Sequence, residues 1–148
     1  AAMFRAVNTH LLLDGPLPDD VSAARRQVLH ALRRGHAFVA NDTLGNGRGF
    51  RFTATGRGRD VSMGDAIVFD GPVTLRATVP LQAMLRLLRD GNEIMRVPGR
   101  DQTCTVHTPG VYRIEAYRRH GRCLRGWLYS NPIYITEPRN PAPEAPVG

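Results

Sequence analysis

The hydrophobic pattern near the N-terminus predicts one extended segment followed by one helix. Residues 3–13 are mostly apolar, and two prolines then interrupt the chain. From Val21 to Leu32 the apolar residues recur at spacings of three and four, which is typical of one face of an amphipathic α-helix. Asp19 or Asp20 can cap the start of this helix, and Gly35 is placed to end it.

From residue 36 onward the pattern changes to short segments of strand character, many of them alternating. A hairpin turn is predicted at Asp90–Gly91, and polar, glycine-rich turns are predicted over residues 41–49 and 56–60. The predicted strands are Ala37–Ala40, Phe50–Thr55, Ala66–Phe69, Val73–Val79, Met84–Arg89, Glu93–Val97, Thr103–Val106, Val111–Arg118, Cys123–Tyr129 and Ile133–Ile135.

Short strands that recur about every ten residues are typical of a sandwich. We therefore predict a mainly β protein, an immunoglobulin-like antiparallel β-sandwich with one N-terminal amphipathic α-helix. Residues 1–35 are expected to form an extended segment and a connecting helix, and residues 36–136 the β-sandwich. Residues 137–148 hold four prolines and little to bury, which indicates a disordered tail. Trp127, the only tryptophan, is expected to anchor the core.

Composition narrows the possible partners. The chain has 148 residues and a net charge of +7, but all 20 basic residues are arginines and they are scattered. This distribution indicates a coding bias, so nucleic-acid binding is not expected. No segment approaches the roughly 18 apolar residues of a membrane span, so no membrane partner is expected. Cys104 and Cys123 lie outside any C-x-x-C pair and are expected to be buried thiols, while a disulfide would require their strands to pair. They weakly favour a reducing, cytoplasmic location. The sequence leaves the oligomeric state open.

Candidate chemistry is sparse. The five histidines are dispersed, and none forms a metal-binding or catalytic motif, so no catalytic residue and no metal site is predicted. His10, which follows Asn8 closely, is the one histidine that we consider a candidate site residue. Together with Asp42, these residues are candidates for a site shared with another domain. Glu115 is expected to pair with Arg113 at a sheet surface.

Two C-terminal segments resemble a known family. The stretches GVYRIEAY (Gly110–Tyr117) and GWLYSNPIYI (Gly126–Ile135) are similar to the ends of certain bacterial PHP-superfamily proteins. These are metallohydrolases of the polymerase and histidinol phosphatase type, in the carbaryl-hydrolase-like branch. Further segments fit the same pattern, so that the resemblance covers about residues 4–136: residues 8–12, 31–39, 49–52 and 63–65.

The resemblance implies an accessory role. In that family the metal ligands belong to a preceding domain with H-x-H and D-x-H motifs, which are absent here. The chain thus resembles the non-catalytic C-terminal domain of a metal-dependent phosphoesterase. No cofactor is expected in it, and divalent metal ions are expected in the catalytic domain, its implied partner. The helix face at Val21–Leu32 and the apolar N-terminal segment are the expected contact surfaces.

Two other functions stay open at this point. The first is a β-sandwich module that binds a carbohydrate, a peptide or a protein, and an exposed row of tyrosines would favour it. The tyrosines concerned are Tyr112, Tyr117, Tyr129 and Tyr134. The second is an enzyme in its own right, which would need polar residues converging in a concave pocket. Asn8, His10 and Asp42 are the candidates for that pocket.

Overall fold

The computed structural model describes residues 6–139. It begins with strand β1 (Val7–Leu11) and helix α1 (Val21–Arg34). Nine strands follow: β2 (Ala37–Asn41), β3 (Arg51–Gly56), β4 (Arg59–Ser62), β5 (Ala66–Val68), β6 (Val73–Arg89), β7 (Asn92–Val106), β8 (Gly110–His120), β9 (Cys123–Ser130) and β10 (Ile133–Thr136). Residues 140–148, most of the predicted tail, lie outside the described residues.

All ten strands belong to one curled sheet. Its main path runs β1-β2-β9-β8-β6-β3-β4, while β7 pairs with β6, and β10 pairs with both β8 and β5. Every pairing is antiparallel except the parallel pair of β5 and β10. The buried side chains of the curled sheet form one core, which includes Phe38, Phe52, Leu75, Ile114 and Leu128. The mainly β prediction with one α-helix is confirmed, while the immunoglobulin-like sandwich stays a prediction.

Strands β6 and β7 correct the predicted strand boundaries. Val73–Val79 and Met84–Arg89 were expected to be separate strands, but both lie in the single strand β6. The two strands predicted between residues 93 and 106 are likewise one strand, β7. The pairing of β6 with β7 shifts register between Thr78 and Ala83, so the chain bends there without leaving the sheet. This irregularity interrupts the alternating pattern that the sequence prediction used.

The turns are partly as predicted. Asp90 and Gly91 have φ angles of 49° and 83°, and they connect β6 to β7 as a tight hairpin turn. The expected turn over residues 56–60 is wrong in its extent, because only Arg57 and Gly58 form it and β4 starts at Arg59. Strand β4 lies at an edge of the sheet, and none of its residues is fully buried. Its sequence therefore lacks the hydrophobic alternation from which a strand is predicted. A short 3-10 helix, Asp42–Leu44, occupies part of the predicted loop over residues 41–49.

Helix α1 begins and ends as its caps predict. The Asp20 side chain accepts a hydrogen bond of 2.7 Å from the backbone N–H of Ala23, and Gly35 follows the helix with a φ of 68°. Ala31 is the only fully buried residue of the helix. Within residues 6–139, no helix has the length and apolar character needed to cross a membrane.

Trp127 lies fully buried in the core, as predicted. Its indole N–H donates a hydrogen bond of 2.7 Å to the carbonyl of Gly45, and the Arg118 guanidinium lies 5.2 Å from the ring centroid. The two cysteines are unpaired thiols on β7 and β9, strands that are not neighbours in the sheet. Cys104 is partly buried, but the expected burial of Cys123 is wrong because that side chain is exposed at the start of β9.

Candidate functional site

Asn8, His10 and Asp42 meet at the edge of the sheet formed by β1. Asn8 and His10 are two residues apart on β1, so both side chains point to the same face of the strand. Asp42 starts the 3-10 helix just after β2, the neighbouring strand. The Asp42 carboxylate accepts a hydrogen bond of 2.7 Å from the Asn8 amide, and its same oxygen lies 3.1 Å from His10 Nε2. The three candidate residues from the sequence therefore form one cluster.

The His10 ring is fixed by packing as well as by this contact. His10 and Phe38 are directly opposite in the pairing of β1 with β2, and their rings stack with centroids 4.8 Å apart. Phe38 in turn meets the Phe50 ring edge to face at 5.0 Å. In hydrolytic enzymes, an imidazole that acts as a general base is often oriented by a carboxylate in this way.

The electrostatics of Asp42 favour its charged form. Burial raises the pKa of Asp42, but hydrogen bonds from Asn8 and His10 outweigh burial and hold the pKa below its usual value. The second carboxylate oxygen accepts a long hydrogen bond of 3.4 Å from the Gly47 N–H. Asp42 thus ties the loop before β3 to strand β1, which gives the cluster a structural role.

A cleft of about 150 Å³ opens beside His10. Arg48, Gly49 and Arg51 line it from the β3 side, and Leu12 is among the apolar residues that line it from the β1 side. No aspartate, glutamate, serine, threonine or cysteine is among the residues that line this cleft. The two arginines make the cleft cationic in character, and its lining offers no nucleophilic hydroxyl or thiol.

A second histidine–aspartate pair lies near the other end of β2 and was not predicted. His36 Nε2 and a guanidinium nitrogen of Arg34 both lie 2.8 Å from the same oxygen of Asp65. Burial raises the pKa of Asp65, but the hydrogen bonds from Arg34 and His36 lower it below its usual value overall. Asp65 is far from both partners in sequence and belongs to no motif with them, so no spacing signal could have paired them.

This second pair borders a larger cavity of about 350 Å³ between the segment after β1 and the edge of β3 and β4. Its lining includes three carboxylates, those of Asp14, Asp60 and Asp65, next to His36. Leu12 and Leu13 line both spaces. The opening between the sheet edges therefore has a cationic cleft on one side of the two leucines and a carboxylate-rich cavity on the other.

The outer face of the sheet carries an arginine–glutamate–tyrosine network. The ion pair of Arg113 with Glu115 has the expected form, at 2.9 Å, but Glu115 is buried and also bonds the Tyr117 hydroxyl at 2.8 Å. Burial, with help from Glu115, raises the pKa of Tyr117 to about 12. Arg86 reaches Glu93, Glu115 and the Tyr117 hydroxyl.

The tyrosines do not form one exposed row. Tyr112 is fully buried in the core, and Tyr134 is exposed on β10. Tyr117 and Tyr129 meet edge to face on β8 and β9, with ring centroids 6.3 Å apart. The row that would have favoured a carbohydrate- or peptide-binding face is therefore reduced to one pair.

Two further kinds of evidence, a grouping of metal ligands and a similarity to known proteins, do not narrow the chemistry of the site. Among residues 6–139, no three histidine, cysteine, aspartate or glutamate side chains are grouped to hold a metal ion. Comparisons of the chain with protein-family models, with curated proteins and with solved structures found no match.

Proposed function

We propose that this chain is a non-catalytic C-terminal accessory domain that packs on a PHP-type metal-dependent phosphoesterase domain and shapes its substrate entrance. The divalent metal ions would belong to that catalytic domain. Asn8, His10 and Asp42 would border the shared entrance without touching the metal. The proposal includes the immunoglobulin-like sandwich architecture and the cytoplasmic location that the sequence favours.

The observation that carries the proposal is the exposure of apolar side chains on helix α1. Leu29 is 36% exposed, Leu32 is 50% exposed and Val21 is 81% exposed, while only Ala31 is fully buried. An amphipathic helix of a folded domain normally turns its apolar stripe toward a core. Here Ala24 and Val28 are partly buried, but the rest of the stripe is left exposed. Exposed apolar patches of this kind mark interaction sites.

The charges around the stripe fit an interface that includes polar contacts. Leu29 borders a shallow groove on the helix together with Arg26, Gln27, His30 and Arg33. None of the arginines at this groove forms an ion pair within residues 6–139. A catalytic domain that offers carboxylates opposite them would pair with arginines that have no ion-pair partner in the described part of the chain.

The test uses arginine substitutions on the helix. In the longer protein that includes the catalytic domain, Leu29→Arg with Leu32→Arg should lower the thermal unfolding midpoint and speed proteolysis between the domains. The same pair in this chain alone should leave its midpoint unchanged, because both side chains are already exposed. The matched control is Leu124→Arg on β9, since Leu124 is 49% exposed. An equal midpoint for the double variant and the control in the longer protein would contradict the proposal.

A binding module is the second candidate, and one pair of residues favours it. Val39 and Tyr129 are opposite each other in the pairing of β2 with β9, and they are 38% and 36% exposed on the outer face. With Tyr117 beside Tyr129, they form a small aromatic and aliphatic surface of the kind that binds sugars or peptides. Binding to a glycan or peptide array that is lost in Tyr129→Ala would support this candidate, and binding that survives the substitution would oppose it.

A further inference from the structure

The cleft beside His10 is small and is lined by two arginines. The backbone N–H of Phe50 bonds the carbonyl of Gly47 at 3.1 Å, which closes a tight turn just before β3. Gly49 occupies the third position of that turn with a φ of 92°, as a type II turn requires. The turn brings Arg48 and Arg51 to the same cleft, three residues apart in sequence.

The two arginines that line this cleft are not paired with carboxylates among the described residues. Neither Arg48 nor Arg51 takes part in an ion pair within residues 6–139. A guanidinium nitrogen of Arg51 donates a hydrogen bond of 2.8 Å to the carbonyl of Phe50, which positions the group but leaves its charge uncompensated. Asp42 contacts His10, but its carboxylate already accepts from Asn8, His10 and Gly47 and does not line the cleft.

We propose that this cleft binds a small tetrahedral oxyanion, a phosphate or sulfate group, between Arg48 and Arg51 beside His10. Guanidinium groups match such oxyanions with paired hydrogen bonds and are the usual choice for recognising them. The volume of about 150 Å³ lies below the roughly 300 Å³ at which pockets for larger organic ligands begin. The adjoining cavity carries the carboxylates of Asp14, Asp60 and Asp65, so the same anion is repelled there. This inference does not depend on the proposed accessory role.

The experiment is an NMR titration of the isotopically labelled chain with sodium phosphate and, separately, sodium sulfate. Sodium chloride keeps the ionic strength constant, so that screening does not change during the titration. We expect saturable shifts centred on the amides of residues 48–51. Arg48→Gln with Arg51→Gln should weaken binding at least tenfold.

The matched control is Arg119→Gln with Arg122→Gln. It removes the same net charge from two exposed arginines in the hairpin of β8 and β9. Its affinity should stay within twofold of the unsubstituted chain. Unchanged thermal midpoints would show that both double variants are folded. Absence of saturable shifts at residues 48–51, or equal weakening by the two double variants, would overturn the proposal.

Discussion

Gly35 and Gly64 approach each other backbone to backbone. A Cβ atom added to Gly64 would collide with the carbonyl oxygens of Arg34 and Gly35, and Gly64 has a φ of 95°. The contact joins the end of helix α1 to the turn between β4 and β5. It also places the next residue, Asp65, within 2.8 Å of both Arg34 and His36. The second histidine–aspartate pair therefore depends on Gly35 and Gly64, although neither glycine contributes a side chain to the pair.

Gly64→Ala should be among the most destabilising single substitutions in the chain. The left-handed backbone alone costs an alanine about 1 kcal/mol, and displacing two backbone carbonyls should add about 2 kcal/mol. The control is Gly58→Ala, because Gly58 has a φ of 73° but no atom within 4 Å of an added Cβ. Urea unfolding of both variants measures the difference, and equal losses would show that the close approach is unimportant.

Replacing Gln102 with an apolar residue should stabilise the protein. This side chain is 5% exposed, and neither of its polar atoms has a hydrogen-bond partner within the described residues. An unsatisfied buried polar group costs about 1–3 kcal/mol, so Gln102→Leu should raise the free energy of unfolding by about 1 kcal/mol. Gln82→Leu is the control, since Gln82 is exposed on β6. A destabilised Gln102→Leu variant in denaturant unfolding would mean that Gln102 has a partner, such as a buried water.

Glu93 should contribute to acid sensitivity. Arg96, and then Arg86, donate hydrogen bonds to its carboxylate and lower its pKa to about 2. Because the folded pKa lies below the ordinary value of 4.5, the stabilisation is present above pH 4.5 and is lost as the pH falls toward 2. Glu93→Gln should flatten the stability curve over that range.

The control for that curve is Glu137→Gln, which removes the same charge at an exposed residue outside the network. Thermal midpoints of both variants between pH 2 and pH 7 provide the comparison. A curve for Glu93→Gln that stays parallel to that of the unsubstituted chain would contradict the role of the arginine contacts.

Local signals in the sequence predicted the parts of the fold that depend on local chemistry. Helix α1 was predictable because Asp20, Gly35 and the apolar spacing all act within a few residues. The hairpin turn at Asp90–Gly91 was predictable for the same reason. Strand β6 was divided wrongly because a register shift within a strand resembles a turn in the sequence pattern. Strand β4 was missed because an edge strand need not alternate.

The candidate sites show the same difference between features that local sequence signals predict and features that depend on distant segments. The sequence made His10 a candidate because it follows Asn8 closely. The pairing of β1 with β2 then places Asp42 next to both side chains. The pair of His36 with Asp65 needed the approach of two distant segments, which no local pattern encodes. The cationic character of the cleft likewise arises only when the turn before β3 packs beside β1.

The most direct test of the accessory-domain account is hydrolysis of a panel of phosphoesters in the presence of Mn²⁺, Zn²⁺ or Fe²⁺. This chain and the longer protein that includes the catalytic domain would be assayed side by side. The account predicts metal-dependent hydrolysis by the longer protein and none by this chain. Hydrolysis by this chain alone, lost on substitution of His10 by alanine, would contradict the account and make the His10–Asp42 cluster an active site.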